Sequence, residues 1–293
     1  MLRAPVKAPR IIFATTRDRD GYQPSDALIA DALNGAGARC EPAPWDGPFA
    51  PFAKADCVLV RSTWGYARHV GAFRHWLTLL EEAQRPVLNP VALMRWNLSK
   101  RYLRELILRG VPTPPTRFVA PSPLDIGSAM DALVVETAIV KPVYSASALG
   151  LSIVNRAHDG ELRDAAERLG GAGIVQPVVE EIKRSGETSL VFIDGAFSHA
   201  VLKRPGHGEF RVQSEFGGSV GAYDPSEAAV SIAAKVVAMA PERPLYARVD
   251  AILNEGRFTL MEVELIEPEL FYTEAPAAVG RFAEALLKRL RLG

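Results

Sequence analysis

Three acidic side chains interrupt two apolar, strand-like runs near the C-terminal end of the chain. Asp250 lies in the first run, whereas Glu262 and Glu264 lie in the second. The stretch Asn254–Arg257 between the runs predicts a hairpin, so Asp250 at the start of one strand can face Glu262 across the pair. Glu262 and Glu264 are two residues apart and project to the same side.

Such carboxylates repel unless they are neutralised, and Mg²⁺, which prefers carboxylate and phosphate oxygen, is the natural neutraliser. Three solvated carboxylates on an exposed face are an equally good interpretation of the residues alone.

Length and charge narrow the class of protein. A single core stops growing at about 250–300 residues, so a chain of 293 residues predicts two or three small domains around a cleft. With 34 basic and 34 acidic residues the net charge is zero, which gives no reason to expect a nucleic-acid or membrane partner. Cys40 and Cys57 are too few for a disulfide framework or a Cys/His metal site. Without a signal-peptide core or an apolar run of membrane-spanning length, we expect a reduced, cytoplasmic protein.

The first third of the chain alternates strand-like and helix-like segments, which predicts an α/β domain with a parallel sheet. The segments are a strand at Arg10–Thr16, a helix at Ser25–Gly37 with Ser25 as its N-cap, a strand at Cys57–Val60, a helix at Ala72–Glu82 and a strand at Val87–Asn89. Ligands bind beyond the carboxyl ends of parallel strands. Arg61, Ser62, Thr63 and Trp64 follow such an end.

The remaining two thirds become more antiparallel, which predicts an α+β arrangement. Asp194-Gly195 between two apolar runs is a strong hairpin signal, and a second hairpin is predicted from Val249–Leu253 and Phe258–Leu265. The other predicted strands are Arg117–Val119, Thr137–Lys141, Leu151–Asn155 and Ile174–Val179. The predicted helices are Ser99–Leu108, Ala228–Met239 and Ala277–Leu292, and Ala165–Leu169 is predicted as part of a helix that ends at Gly170.

Several basic residues are candidates for anion binding. Lys100 is predicted at the start of a helix, and Lys141 closes an apolar strand, where a phosphate would satisfy its charge. Snorkelling to solvent explains either lysine equally well. The small-residue turn Tyr144–Gly150 would let backbone N–H groups approach an anion, although it matches no phosphate-binding fingerprint. The string from Lys203 to Arg211 either binds phosphate or carboxylate or forms a solvated loop.

Taken in order along the chain, these elements resemble the ATP-grasp superfamily of carboxylate–amine ligases. Gly208-Glu-Phe-Arg211 with Gln213 and Gly217-Gly218 is similar to a segment of RimK-type glutamate ligases, and Arg248 lies where D-alanine–D-alanine ligases contact the substrate carbonyl. The resemblance implies nucleotide binding by Lys100, Lys141, Ser145, Ser147, Gln176, Pro177, Val178, Val179, Glu187, Arg211 and Gln213. It implies metal binding by Asp250, Glu262 and Glu264, substrate binding by Gly217, Gly218 and Arg248, and catalytic roles for Lys141, Arg211 and Arg248.

Two departures and one further similarity refine the resemblance. Glu264 stands where the superfamily usually has Asn, and the Tyr144–Gly150 turn is richer in Ser and Ala than in Gly. The N-terminal segments resemble a smaller branch that contains D-cycloserine synthetase, which closes a ring within O-ureido-D-serine. They are Trp45-Asp46, Cys57–Tyr66, Phe73–Leu77 and Trp96–Leu106. This branch implies that Arg61, Ser62, Thr63 and Trp64 lie at the substrate end of the first domain.

The resemblance also implies an architecture and a reaction. We expect an ATP-grasp fold with a parallel-sheet N-terminal domain at 1–93, a connecting segment at 94–119, a lid at 120–178 and a catalytic subdomain at 179–293. ATP and two Mg²⁺ ions, for which Mn²⁺ can substitute, would activate a small amino-acid-like carboxylate as an acyl phosphate. Ring closure, intermolecular ligation, a phosphorylated end product and non-catalytic ATP binding all remain open, as does assembly into a homo-oligomer.

Overall fold

The computed structural model describes residues 8–18, 21–146, 149–206 and 217–292. Its strands are β1 (Arg10–Thr15), β2 (Arg39–Pro44), β3 (Cys57–Val60), β4 (Val87–Leu88), β5 (Arg117–Val119), β6 (Thr137–Pro142), β7 (Ser152–Asn155), β8 (Gly173–Pro177), β9 (Glu187–Ile193), β10 (Ala196–Arg204), β11 (Ser219–Tyr223), β12 (Tyr246–Asn254) and β13 (Arg257–Glu264). Its helices are α1 (Pro24–Gly35), α2 (Ala50–Ala53), α3 (Val70–Glu82), α4 (Val91–Asn97), α5 (Tyr102–Leu108), α6 (Pro123–Leu133), α7 (Asp159–Leu169), α8 (Glu181–Ser185), α9 (Glu227–Ala238) and α10 (Ala277–Leu292).

The first sheet is parallel, as the strand–helix alternation predicts. Its order is β2-β1-β3-β4, and every pairing within it is parallel. The apolar face predicted for α3 packs inward, with its four large side chains buried: Phe73, Trp76, Leu77 and Leu80. All four residues of β3 are buried. The strand ends at Val60, and a polar segment that begins at Arg61 follows it.

Two predicted helix starts are wrong. Helix α1 begins at Pro24, with Gln23 at its N-cap, because proline is favoured in the first helical turn. The Ser25 hydroxyl therefore does not cap the helix and instead donates to Glu269 Oε1 at 2.8 Å. Helix α5 begins at Tyr102 rather than at Ser99.

The second sheet is antiparallel, with the order β5-β8-β6-β7, and it packs against α6 and α7. Helix α6 has no counterpart in the sequence analysis, although Ser122 and Pro123 are typical of a helix start. The Ser122 hydroxyl accepts from the Asp125 N–H at 3.4 Å. The predicted domain limits at 93, 119 and 178 stay a prediction.

The third sheet contains both predicted hairpins, in the order β11-β10-β9-β12-β13. Asp194 and Gly195 turn with φ of 50° and 77°, and Glu255 and Gly256 turn with φ of 49° and 77°. Positive φ at both central residues is the geometry of the tight turns that match strand twist. Helix α9 contacts four strands of this sheet.

Buried polar groups join the first sheet to the third. The Asn89 amide, just after β4, donates to the carbonyls of Tyr246 and Leu265, both at 2.8 Å. The Tyr246 hydroxyl contacts the carbonyl of Val60 and lies 2.9 Å from that of Ile266. An apolar cluster shared by β1, β3, β12 and α10 surrounds these bonds. The carboxyl end of β3 is therefore held beside the end of β13.

In the part of the chain that the structure describes, no helix combines the length and the apolar character needed to cross a membrane.

Candidate active site

The strand pair β12–β13 brings the predicted metal ligands together. Asp250 lies directly opposite Glu262, as the sequence predicts, and Arg248 lies opposite Glu264. Asp250 is in the middle of β12 rather than at its start, because the strand begins at Tyr246. A bulge follows Asp250, so the register shifts at Ala251. Bulges re-aim side chains, which is common beside active sites.

Each of these three carboxylates contacts a cation of the chain itself. Lys100 Nζ forms an ion pair with Glu262. Arg248 Nη2 lies 2.9 Å from Asp250 Oδ2 and also contacts Glu264. Burial, opposed by Arg248, raises the pKa of Glu264 to about 7. The repulsion expected among the carboxylates is thus relieved by basic side chains.

Asp250 is the most enclosed of the three. The Ser189 hydroxyl, on β9, donates to Asp250 Oδ1 at 2.5 Å, and Lys203 Nζ lies 3.5 Å from the same oxygen. Burial alone would raise the pKa of Asp250, but Arg248 and Lys203 outweigh burial and hold it well below its usual range. Lys203 also pairs with Glu187, so this carboxylate, predicted to bind the nucleotide, is linked to Asp250.

The position of Lys100 follows from how its segment covers the outer edge of β13. The Asn97 side chain donates to the Val263 carbonyl and accepts from the Leu265 N–H, both at 2.8 Å. The Tyr102 hydroxyl accepts from the Val263 N–H at 2.9 Å. These side chains satisfy an edge strand much as a neighbouring strand would. Lys100, between them, is thereby held beside Glu262.

Lys141 differs from the other basic residues of the site. It lies on β6 in the second sheet, and among the described residues it forms no ion pair. Burial and the nearby Lys100 lower its pKa to about 8. An unpaired cation in this environment gains from an anionic partner.

The residues fit a divalent cation by chemistry but do not form a preassembled cage. Asp250, Glu262 and Glu264 supply hard oxygen ligands in matching register, which suits Mg²⁺. Within the described ranges, no three His, Cys, Asp or Glu side chains are grouped closely enough to hold a metal. Glu262 and Glu264 would have to turn away from Lys100 and Arg248 to share one ion.

The segment Gln176–Val179, predicted to bind the nucleotide, borders a cavity between the second and third sheets. The cavity has a volume of about 280 Å³. It is lined by Pro177, Val178 and Val179 and by Ile252 and Thr259 of the third sheet. Gln176, in β8, is buried, and its side-chain amide donates to Thr116 Oγ1 at 2.8 Å. This bond joins β8 to the residue that precedes β5.

The predicted substrate residues after β3 share a strand end but not one environment. Arg61 is 4% exposed, and its Nε donates to Asp26 Oδ1 at 2.9 Å while Nη2 donates to the Pro268 carbonyl at 3.0 Å. The Ser62 hydroxyl donates to Asp26 Oδ2 at 2.7 Å. These contacts make Arg61 and Ser62 part of the packing between the first sheet and the segment after β13.

Thr63 is fully buried, whereas Trp64 is half-buried and lies within hydrogen-bonding reach of Glu267. The Trp64 side chain thus lies beside the carboxylate of Glu267, in the segment after β13. Contact with a substrate stays a prediction for all four residues after β3.

Several predicted residues lie at the margins of the description. Ser147, Arg211 and Gln213 lie outside the described residues. The Ser145 hydroxyl donates to the Pro142 carbonyl at 3.3 Å. Gly217 and Gly218 directly precede β11, with Gly217 at φ 78° and exposed.

Sequence reasoning missed three polar partners. None of Asp26, Ser189 and Glu267 is singled out in the sequence analysis. Asp26 and Ser189 each follow polar residues and precede an apolar run, so neither stands out as Asp250 does within its apolar strand. Glu267 lies in the sequence Ile-Glu-Pro-Glu after β13, where no periodicity singles it out.

Comparison with known proteins supplies the family. A family model of the D-cycloserine synthetase DcsG N-terminal domain matches residues 11–89. The cycloserine biosynthesis protein DcsG of Streptomyces lavendulae is 31% identical over 278 residues, 90% of this chain and 93% of that protein. The crystal structure of D-cycloserine synthetase DcsG matches with a TM-score of 0.86 and 28% identity, over 96% of this chain and 99% of the other.

A more distant match identifies the fold. The ATP-grasp ligase PsnB, solved with a phosphomimetic variant of its minimal precursor, Mg and ADP, has a TM-score of 0.70 at 14% identity. The match covers 98% of this chain and 100% of PsnB. The predicted ATP-grasp fold with a parallel N-terminal sheet is thus confirmed. The chain belongs to the D-cycloserine synthetase (DcsG) family and is an ATP-grasp carbon–nitrogen ligase.

Proposed function

We propose that this ligase uses MgATP to activate the carboxylate of a small amino-acid-like substrate as an acyl phosphate, which a nitrogen of the same molecule then attacks. The observation that carries the proposal is the register of Asp250 opposite Glu262, flanked by Lys100 and by Lys141, which has no ion-pair partner among the described residues. Membership of the DcsG family favours ring closure, with O-ureido-D-serine as the substrate to test first.

The first step brings together two anions, the substrate carboxylate and the terminal phosphate of ATP. Lys100 and Lys141 are the described cations best placed to shield the phosphates. Lys141 gains most, since it exchanges a desolvated, unpaired state for an anionic partner. Asp250, Glu262 and Glu264 would hold Mg²⁺, which supplies further neutralisation of phosphate charge.

The second step develops negative charge on the former carboxylate oxygen. Arg248 presents a guanidinium on the same face as these carboxylates, held by Asp250 and by the Glu269 carbonyl at 3.2 Å. A fixed donor aimed at developing charge stabilises the transition state without reorganising. We assign Arg248 this role because its orientation is already set by the protein.

The site is tested first with Glu262→Ala. We expect ADP release to fall by about three orders of magnitude, because a hard oxygen ligand and the partner of Lys100 are both lost. Glu255→Ala, in the exposed turn of the same hairpin, is the matched control and should retain activity. Wild-type ADP release by Glu262→Ala would overturn the metal assignment.

The reaction is tested by measuring ADP and phosphate release from MgATP with D- and L-amino acids, dipeptides and O-ureido-D-serine. Release with O-ureido-D-serine alone supports ring closure. Release that needs two compounds means an intermolecular ligase, and a product that retains the phosphate means a kinase-like reaction. ATP binding without turnover across the whole panel would contradict the proposed reaction on these substrates.

A further inference from the structure

The segment after β13 folds back over the carboxyl end of β3 and is held at three points. Arg61 donates to the Pro268 carbonyl at 3.0 Å, and Arg248 donates to the Glu269 carbonyl at 3.2 Å. Ser25 donates to the Glu269 carboxylate at 2.8 Å. These bonds fix the backbone on the C-terminal side of Glu267, so the position of its side chain is set by the fold.

Glu267 lies between the first sheet and the proposed reaction site. Its carboxylate is within hydrogen-bonding reach of the Trp64 and Tyr66 side chains. Tyr66 is itself fixed by stacking on Phe73, with 4.9 Å between ring centroids. Burial and the nearby Glu264 raise the pKa of Glu267 to about 8, against the influence of Arg248 and Arg61.

Glu267 lacks a basic partner in the described part of the chain. It forms no ion pair there, whereas Asp26 and Glu262 each form one and Asp250 forms two. Arg61 is already engaged by Asp26 and Pro268. A carboxyl group that no basic side chain occupies is open to a cationic group of a ligand.

Unsatisfied groups at the same strand end also point to a ligand. Among the described residues, Arg61 Nη1 and Thr63 Oγ1 are buried without a hydrogen-bond partner. Natural proteins rarely leave such groups unpaired, and where they do, a ligand or water commonly satisfies them. These groups at the end of β3 suit an anionic or carbonyl oxygen of a ligand, whereas the Glu267 carboxylate nearby suits a cationic group.

We propose that Glu267 binds the cationic amino group of the amino-acid-like substrate, with Trp64 and Tyr66 orienting its carboxylate. This inference rests on the proposed function and names the feature that the enzyme selects. A carboxylate paired with an ammonium forms a strong, charge-assisted hydrogen bond, which a hydroxyl in the same place cannot replace. The site would thus prefer amino acids to the corresponding hydroxy acids.

The test measures binding and turnover separately. Calorimetry with Mg²⁺ and ADP present gives the affinities for O-ureido-D-serine and for its counterpart with a hydroxyl in place of the α-amino group. The wild-type protein should bind the amino compound more tightly, by about tenfold or more. Glu267→Gln should lose that preference and keep its affinity for ADP, and the exposed control Glu255→Gln should change neither.

A second variant guards against misfolding of the first. Tyr66→Phe keeps the ring on Phe73 and removes only the hydroxyl, so it should weaken binding of the amino compound by about threefold. The proposal is overturned if Glu267→Gln keeps the preference, or if the wild type binds neither compound or both equally. Preference that is lost in Glu267→Gln while no ADP forms would reject the proposed reaction and support this assignment.

Discussion

Buried charge is handled differently at the end of β3 and on the face of β12 and β13. At β3, Arg61 and Asp26 are both nearly inaccessible, and Asp26 uses both carboxylate oxygens, for Arg61 and for Ser62. On β12 and β13, Glu262 and Glu264 retain about a third of their exposure and each has a single basic partner. Lys141 beside them has no partner among the described residues.

The difference separates a structural ion pair from a binding site. Both carboxylate oxygens of Asp26 are used within the fold, and Arg61 holds the first sheet against the segment at Pro268, so the pair itself is structural, although Arg61 Nη1 has no partner among the described residues. We call Glu262, Glu264, Lys100 and Lys141 the open cluster, because its carboxylates lie beside basic side chains and remain partly exposed. MgATP can replace these internal partners, with Mg²⁺ beside the carboxylates and phosphate beside the lysines. Charge content alone does not identify a site, but incomplete pairing does.

The largest effect on stability should come from breaking the Arg61–Asp26 ion pair, which we call the closed pair. Asp26→Ala would leave Arg61 charged and buried, so we expect the free energy of unfolding to fall by about 3–5 kcal/mol, measured by urea denaturation. The double variant Asp26→Leu with Arg61→Met should recover most of that loss, because apolar groups need no partner. A loss in Asp26→Ala similar to that of an exposed substitution would contradict a structural role for the pair.

The open cluster should respond in the opposite direction. Lys141→Met removes an unpaired, desolvated cation, so the ligand-free protein should gain about 1–3 kcal/mol at pH 7 while losing affinity for ATP. The pKa of Lys141 is lowered to about 8 in the folded state, against 10.5 in its ordinary state. Below pH 8 the wild type carries the full penalty, and between pH 8 and 10.5 the penalty disappears.

Denaturation across this pH range therefore tests whether the charge of Lys141 destabilises the folded protein. The stability advantage of Lys141→Met should shrink as pH rises from 8 to 10.5, since the folded wild type releases its proton before the unfolded chain does. Lys235→Met, on the exposed face of α9, is the control and should show no such trend. An advantage that is constant with pH would mean that packing, not charge, explains the gain.

The sequence predicts the open cluster better than the closed pair, for a physical reason. Asp250 and Glu262 interrupt apolar strands, and a tight hairpin fixes their register, so local pattern is enough to bring them together. Asp26 meets Arg61 only because α1 packs beside β3, and Glu267 meets Trp64 only because the segment after β13 folds back. Contacts that depend on how separate elements pack leave no periodic signal along the chain.

The smallest effect should come from the contact that joins the first sheet's layer to the second. Arg74 on α3 donates to the Tyr144 hydroxyl at 2.6 Å, and its guanidinium lies 5.2 Å from the Tyr144 ring centroid. Because the contact is exposed, Arg74→Ala should lower the free energy of unfolding by less than about 1 kcal/mol. Tyr144 lies two residues after β6, the strand of Lys141, so losing the contact should instead raise the KM for ATP by about two- to fivefold.

Measuring both stability and the KM for ATP shows whether the Arg74–Tyr144 contact behaves like the closed pair or like the open cluster. Arg74→Lys keeps the charge but not the planar donor, so it should give an intermediate KM for ATP. Tyr144→Phe keeps the ring and loses the hydroxyl, and should match Arg74→Lys more closely than Arg74→Ala. If Arg74→Ala instead lowered stability by as much as Asp26→Ala with KM unchanged, this contact would belong with the closed pair, and the open cluster would not depend on it.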